Sequence, residues 1–203
     1  MRYTGPKVRL SRRAGTPLTR KAVSYFEKRP YPPGEHGRRV RRSTSDYAVR
    51  QAEKQKLRWY YDLSEKQLAR VYESAKKRAG RTGEEMIADL ELRLASVVLR
   101  SGLAPSIYAA RQYINHGHIM VDGKKVDIPS YQVKPGQIIS VRDKSKQMVP
   151  FVEAAEGVHA DEKIAGYLAV SHKDLRVAIV DRPKREQVPV PFDEHLVVEF
   201  YAR

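Results

Sequence analysis

The sequence predicts an α+β protein with three parts: a basic extended N-terminal arm, a helical domain, and a small α/β module of two helices followed by a β-hairpin and further antiparallel strands. Three observations carry this. Glycine and proline interrupt residues 1–45; apolar residues recur at helical spacing between capping residues from 46 to 117; and from His118 the period changes to two around a hairpin turn.

In the arm, Gly5-Pro6, Gly15, Pro17, Pro30, Pro32-Pro33-Gly34 and Gly37 are spaced to break any regular helix or strand. It holds 13 Lys and Arg against only Glu27 and Glu35. Arginine outnumbers lysine by ten to three, a bias toward two-pronged phosphate contact over a merely solubilising charge. Arg12-Arg13, Arg38-Arg39 and Arg41-Arg42 supply guanidinium forks, and Tyr3, Tyr25, Phe26 and Tyr31 offer faces for stacked bases. The plainer alternative is a solvated, disordered tail.

Ser45 and Asp46 cap a first helix through Ala48, Ala52, Leu57 and Tyr60-Tyr61, in which Trp59 and the tyrosines sit at core spacing rather than as a stacking platform. Ser64 opens a second, with Leu68, Val71 and Tyr72 inward and Lys76-Lys77-Arg78 in its last turn before Gly80. Thr82 and Glu85 have the spacing of a capping box for a third helix, whose stripe Met86, Leu90, Leu94, Val97 and Val98 runs on to a stop at Gly102. Ser106 caps a short helix with Ile107, Ala110 and Ile114 inward and Gly117 at its end. His118–Val121 reads as a strand, Asp122-Gly123 as a hairpin turn and Lys124-Lys125-Val126 as the return strand. Ile128, Val133, Ile138, Ile139 and Val141 continue the strands around Pro129 and Pro135-Gly136. An acidic helix-like stretch at 147–157 and short strands at 167–170, 175–180 and 196–201 complete the chain.

The formal net charge is +15, distributed as +11 over 1–45, +1 over 46–91, +6 over 92–146 and −3 over 147–203. Such a chain seeks a polyanion, either nucleic acid or an acidic membrane. No run approaches the ~18 apolar residues of a spanning helix, and no amphipathic anchor helix with a large apolar face is present. Zero cysteines exclude disulfides and thiolate chemistry. The phosphate-binding loop, the dinucleotide fingerprint and the HExxH and GxSxG motifs are all missing, which argues against an enzyme. His116 and His118 are two apart, but Gly117 between them marks a helix end meeting a strand start, and no acidic cluster precedes Asp122; a metal site is not expected.

The helix pair carries Arg93, Arg100 and Arg111, and the hairpin carries Lys124 and Lys125. Because the strand follows Gly117 at once, the helix N-terminus and the hairpin are expected to share one concave face suited to an RNA backbone. The segment holding Leu94, Val98, Arg100, Gly102, Ser106, Ala110, Arg111, Ile114, Gly117, Ile119, Val121, Gly123, Val126, Pro129, Val133, Gly136, Ile138 and Val141 resembles the RNA-binding module named after the small-subunit ribosomal protein S-four. The flanks resemble that ribosomal family itself: Arg2-Tyr3-Thr4-Gly5-Pro6-Lys7, the run from Arg29 to Gly37, Ser45 to Arg50 with Glu53 to Arg58, and a closing strand from Asp193 to Tyr201. The resemblance covers nearly the whole chain and is weakest between about 147 and 190.

The resemblance implies a structural constituent of the small ribosomal subunit in the cytoplasm, with no enzymatic activity, cofactor, metal or membrane partner. It further implies a primary ribosomal RNA-binding protein that nucleates assembly of the five-prime domain, contributes to decoding accuracy, and touches neighbouring small-subunit proteins near where mRNA enters. Alternatives are a stand-alone RNA-binding regulator repressing translation of its own mRNA and, more remotely, an RNA-modifying enzyme; such enzymes carry the module as an appendage, and the ~60 residues after it here are too few for a catalytic domain. By the family's pattern, residues 1–45 form the arm, 46–91 with about 187–203 the helical domain, and 92–186 an inserted domain holding the module at about 92–150. The expected RNA contacts are Arg2, Tyr3, Lys7, Arg9, Arg12, Arg13, Arg38, Arg39, Arg41, Arg42, Lys54, Lys56, Arg58, Arg100, Ser106, Arg111, Gln112, His116, His118, Lys124, Lys125 and Tyr131. Three departures stand out. Val8, Ser11, Thr19 and Ser24 occupy places where many relatives hold a four-cysteine zinc knot, so this is a zinc-free form. Ile107, Tyr108 and Asn115 replace basic residues, and Asp122 replaces Asn, which shifts the phosphate contact toward Arg111, Lys124 and Lys125.

Overall fold

The computed structural model describes residues 3–39, 45–160 and 164–202; Arg2, Arg41 and Arg42 lie outside the described residues. The elements in chain order are α1 (Lys7–Ala14), α2 (Ala22–Lys28), α3 (Asp46–Tyr60), α4 (Glu65–Lys76), α5 (Thr82–Glu91), α6 (Leu94–Arg100), α7 (Ile107–Asn115), β1 (Ile119–Val121), β2 (Lys124–Lys125), β3 (Ile138–Val141), α8 (Val149–Ala155), β4 (Leu168–Ser171), β5 (Arg176–Ile179) and α9 (Glu194–Tyr201). The protein is therefore α+β. It divides into two compact units, Met1–Met86 with Val190–Arg203, and Ile87–Pro189.

In the first unit, the arm is not free of helix. Its breakers fall at helix ends: Pro6 precedes α1, and Gly15 adopts a left-handed conformation that turns its N–H onto the Ser11 carbonyl. Leu10, Ala14 and Leu18 then form a small core against Trp59 and Tyr60 of α3. Gly37 is dictated by close approach, since a Cβ there would lie 1.9 Å from the Pro32 carbonyl oxygen. Ser45 caps α3 through the Ala48 N–H, and Ser64 with Gln67 forms a full capping box on α4.

Residues 196–201, expected as a strand, are helical. Asp193 caps α9 by accepting the His195 N–H at 2.8 Å, and Glu194 and Val197 are buried at helical spacing. Leu196-Val197-Val198 and Phe200-Tyr201 have strand-like composition, but the helix is fixed by packing antiparallel along α3. Phe192 meets Tyr60 at 5.7 Å between ring centroids, and Phe200 meets Tyr47 at 5.8 Å. Glu65 ties α3, α4 and α9 together, accepting from Lys54 at 3.0 Å, Arg58 at 3.2 Å and the Tyr201 hydroxyl at 2.7 Å. Burial pushes the Glu65 carboxyl up, but these three partners outweigh it and hold it below its usual value.

The third helix also departs from expectation at both ends. The Glu85 N–H donates to the Arg81 carbonyl, so Arg81 holds the cap position and Thr82 is the first helical residue. The helix then breaks at Leu92–Arg93, with no glycine or proline there. The orphan N–H groups at the start of α6 are taken by chain 30 to 40 residues away: Leu94 donates to Tyr131 O at 2.9 Å and Ala95 to Pro129 O at 3.2 Å, while Val133 donates to Leu92 O at 2.9 Å. Distant carbonyls thus interrupt what local periodicity reads as one helix.

In the second unit, the sheet runs β2-β1-β3-β5-β4, antiparallel throughout. Alternate residues point inward, so Ile119, Val121, Ile139, Val141, Val177 and Ile179 are buried with Leu94, Val98, Ile107, Ala110 and Ile114 of α6 and α7. Asp122 and Gly123 both have positive φ, 48° and 75°, the pair of left-handed residues a two-residue hairpin turn needs.

Candidate nucleic-acid interface

With Ile107, Ala110 and Ile114 buried, α7 turns Tyr108, Arg111, Gln112, Asn115 and His116 the other way. Gly117 ends the helix at φ 74°, and a Cβ on it would lie 2.3 Å from Lys125 Cε. The Lys125 stem therefore crosses the C-terminal end of α7. Lys124 and Lys125 are both exposed, and Lys125 pairs at a distance with Asp127, at 4.0 Å. The hairpin thus meets the C-terminal end of α7, not its N-terminus. The Ser106 end of α7 lies roughly 13 Å further along the helix. The Ser106 hydroxyl instead accepts the Ala109 N–H at 3.3 Å as the α7 cap.

Arg100 is a second correction. Its guanidinium lies inside the unit, 8% exposed, gripped by the fully buried Glu91 carboxylate at 2.8 and 3.0 Å. Helical spacing placed it correctly on α6 but could not show an acid nine residues back across the helix break.

Arg93, one of the cations the sequence places on the helix pair, is not among the expected RNA contacts. It is 6% exposed, and burial, then the neighbouring Arg111 charge, bring its pKa down to about 10. No carboxylate answers the Arg93 side chain among the described residues. A buried cation held beside a second cation is a standing penalty on the order of 3 kcal/mol in the free protein. It concentrates positive potential next to the outward face of α7. The signal that finds it is the pairing of burial with an absent acid, which needs coordinates. Tyr131 is half-buried, and its carbonyl caps α6.

His116 and His118 have ring centroids 6.0 Å apart, and His118 Nδ1 lies 2.9 Å from Ser145 Oγ. Burial, then the charges of His116 and Arg142, lower the His118 pKa. No group of three or more His, Cys, Asp or Glu able to hold a metal occurs among the described residues.

The described arm residues separate into two sets. Arg9, Arg13, Arg38 and Arg39 are exposed. Arg12 works internally: Nε donates to Tyr31 O at 3.0 Å, Nη2 to Pro32 O at 3.3 Å, and the guanidinium lies 4.9 Å from the Tyr31 ring centroid. Arg38 also lies over that ring, at 5.0 Å, and donates to the Tyr31 hydroxyl, which lowers the Tyr31 pKa. Lys7 and Tyr3 turn on each other: Nζ donates to the Tyr3 carbonyl and sits 5.0 Å from its ring. On α3, Lys54 is corrected to a structural residue, 6% exposed, bonded to Glu65 and 4.0 Å from the Phe200 ring. Lys56 pairs with Glu53, and Arg58 with Glu65.

The half-buried Arg111 of α7, a lysine-bearing hairpin and Arg93, buried with no acid beside it among the described residues, define a nucleic-acid-binding module joined to a basic helical unit. No helix among the described residues is long and apolar enough to cross a membrane. Residues 2–91 match the family model described as the ribosomal protein S4/S9 N-terminal domain, and residues 92–139 match the S4 domain. The chain is 88% identical to the small ribosomal subunit protein uS4 of Thermobifida fusca (strain YX) over 203 residues, covering 100% of both chains. It is 55% identical to the uS4 of Beutenbergia cavernae over 199 residues, 97% of this chain and 96% of that one, and 54% identical to that of Streptomyces griseus over 199 residues, 98% and 97%. The chain belongs to the uS4 family of small ribosomal subunit proteins. These are structural proteins, not enzymes, and the RNA-modifying alternative is set aside.

Proposed function

We propose that this protein is a structural constituent of the small ribosomal subunit in the cytoplasm, binding small-subunit ribosomal RNA as a primary assembly protein that nucleates the five-prime domain. It contributes to decoding accuracy and touches neighbouring small-subunit proteins, with mRNA at the channel where it enters. The observation that supports the RNA reading best is Arg93, buried beside Arg111 with no acid to answer it among the described residues. Phosphate oxygens supply the missing counter-charge, and the half-buried Arg111 and the exposed Lys124 and Lys125 add cations to the same module.

The test is filter binding of the full-length protein to a transcript of the five-prime domain, across salt. Each neutralised phosphate contributes a log–log slope of about −0.7 to −0.9. A steep slope together with co-sedimentation with small subunits after a high-salt wash is expected. A flat response, or fractionation apart from ribosomal particles, overturns the reading.

A further inference from the structure

Helix α8 carries apolar residues on both sides. Phe151 and Ala154, three apart, are buried in the second unit. Along the outward side of the helix and its caps run Met148, Val149, Val152, Glu153 and Glu156, and all five are exposed, Val149 to 70%. The chain then adds to this side. Gly157 turns at φ 77°, and the Val158 N–H returns to the Glu153 carbonyl at 3.1 Å, which folds Val158 back along the last turn with 56% of it exposed. A helix that is apolar all round normally lies inside a protein, and a contiguous apolar surface with a polar margin marks a place where another molecule sits.

The charge around these side chains says which kind of molecule. Residues 147–160 contain no Lys or Arg, in a chain whose formal net charge is +15, and their only acids are Glu153 and Glu156. The cation that precedes them, Lys146, is held by Asp143 at 2.8 Å. An RNA strand or an anionic membrane would meet two carboxylates here and no counter-charge. A second copy of this chain fits no better, since a two-fold contact through this side sets Glu153 and Glu156 against the same two acids. A basic polypeptide suits it. The aliphatic stems of Lys and Arg cover valine side chains while their heads reach carboxylates at the margin. Glu153 already has His159 Nε2 at 3.4 Å, so the sharper test of charge is Glu156.

We propose that the outward side of α8, with Val158, is the docking surface for a basic segment of a neighbouring small-subunit protein, whose lysines or arginines pair with Glu153 and Glu156. This rests on the reading of the protein as a small-subunit constituent, and it assigns the protein contact of that reading to residues outside the expected RNA contacts.

In the experiment, Val149 or Val152 of the full-length protein is replaced by p-benzoylphenylalanine, and small subunits carrying it are purified through a high-salt wash and irradiated. The expected product joins this chain to one other small-subunit protein, and mass spectrometry of the joined peptide finds Lys and Arg in excess of Asp and Glu. Binding is then measured between the full-length protein and that partner, purified. Val149→Gln with Val152→Gln removes the apolar contact, and affinity falls about tenfold. Both positions are exposed and glutamine has the better helix propensity, so the thermal unfolding midpoint stays in place, and the five-prime-domain transcript is bound as tightly as by the parent. Glu156→Lys reverses one charge at the C-terminal end of α8, where a cation favours the helix, and affinity for the partner falls about threefold at low salt and less at high salt.

A crosslink to ribosomal RNA, to a second copy of this chain or to an acidic peptide overturns the proposal, as does a small subunit in which neither position crosslinks to any protein. So does a partner whose affinity ignores both variants. These results leave the RNA reading standing, because the parent still binds the transcript and enters small subunits. A parent that does neither removes that reading, and the docking surface falls with it.

Discussion

Arg100 and Glu91 form a two-pronged ion pair in the interior of the second unit, with N···O distances of 2.8 and 3.0 Å, and the Tyr167 hydroxyl donates to the same carboxylate at 2.7 Å. The pair locks the end of α5 to the end of α6 across the break at Leu92–Arg93, so a basic residue of the module serves the fold and not the ligand. Arg100→Met leaves a buried carboxylate uncompensated, which costs about 3–5 kcal/mol. Urea unfolding should show that loss, while the salt slope of RNA binding, measured where the variant is folded, stays at the parent value. A reduced slope would return Arg100 to the surface contacts.

Arg93 should behave in the opposite way. It is buried without an acid among the described residues and its charge is disfavoured in the free protein, so Arg93→Met removes a penalty and fills the site with an apolar chain of similar length. The unfolding midpoint is expected to hold or rise, while affinity for the five-prime-domain transcript falls by about tenfold, the worth of one charge-assisted contact. Loss of stability without loss of affinity would show Arg93 to be a core residue only.

The arm offers a contrast within two adjacent residues. Arg12 holds the Tyr31 and Pro32 carbonyls, whereas Arg13 is exposed. Arg12→Ala should loosen the loop around Tyr31, seen as faster proteolysis between residues 20 and 39. Arg39→Ala, at another exposed position, should leave proteolysis unchanged and lower the salt slope by about one contact. Equal proteolysis of the two variants would show that the Arg12 contacts do not order the arm.

Local chemistry made much of the fold legible. Ser45, Ser64 and Ser106 start helices where their hydroxyls accept backbone N–H groups, and Asp122-Gly123 turns the hairpin, because capping and left-handed turns are decided within a few residues. What was not legible was decided at long range. The α5–α6 break is made by carbonyls near Tyr131, and α9 is held helical against its strand-like composition by α3. The site divides the same way: type and spacing single out Arg111 and Lys125, but whether an arginine faces solvent, as Arg13 does, or a buried acid, as Arg100 does, depends on partners far along the chain.

His118 links the module to pH. Its ring is close to Ser145 Oγ at 2.9 Å and to Phe151 at 5.7 Å between centroids, and burial, then the charges of His116 and Arg142, lower its pKa from the ordinary 6.5. A ring whose folded pKa is depressed favours the fold in its neutral form. That contribution is complete above the unfolded value near 6.5 and is lost as pH falls through the lower folded value. The urea midpoint should therefore drop between pH 7 and pH 5, and His118→Gln, which keeps a neutral polar side chain, should flatten part of that drop. Phosphate nearby favours the protonated ring, so RNA binding should raise the His118 pKa and take up protons at pH 6, measurable by calorimetry in two buffers of different ionisation enthalpy. Proton release in place of uptake would place His118 away from the RNA.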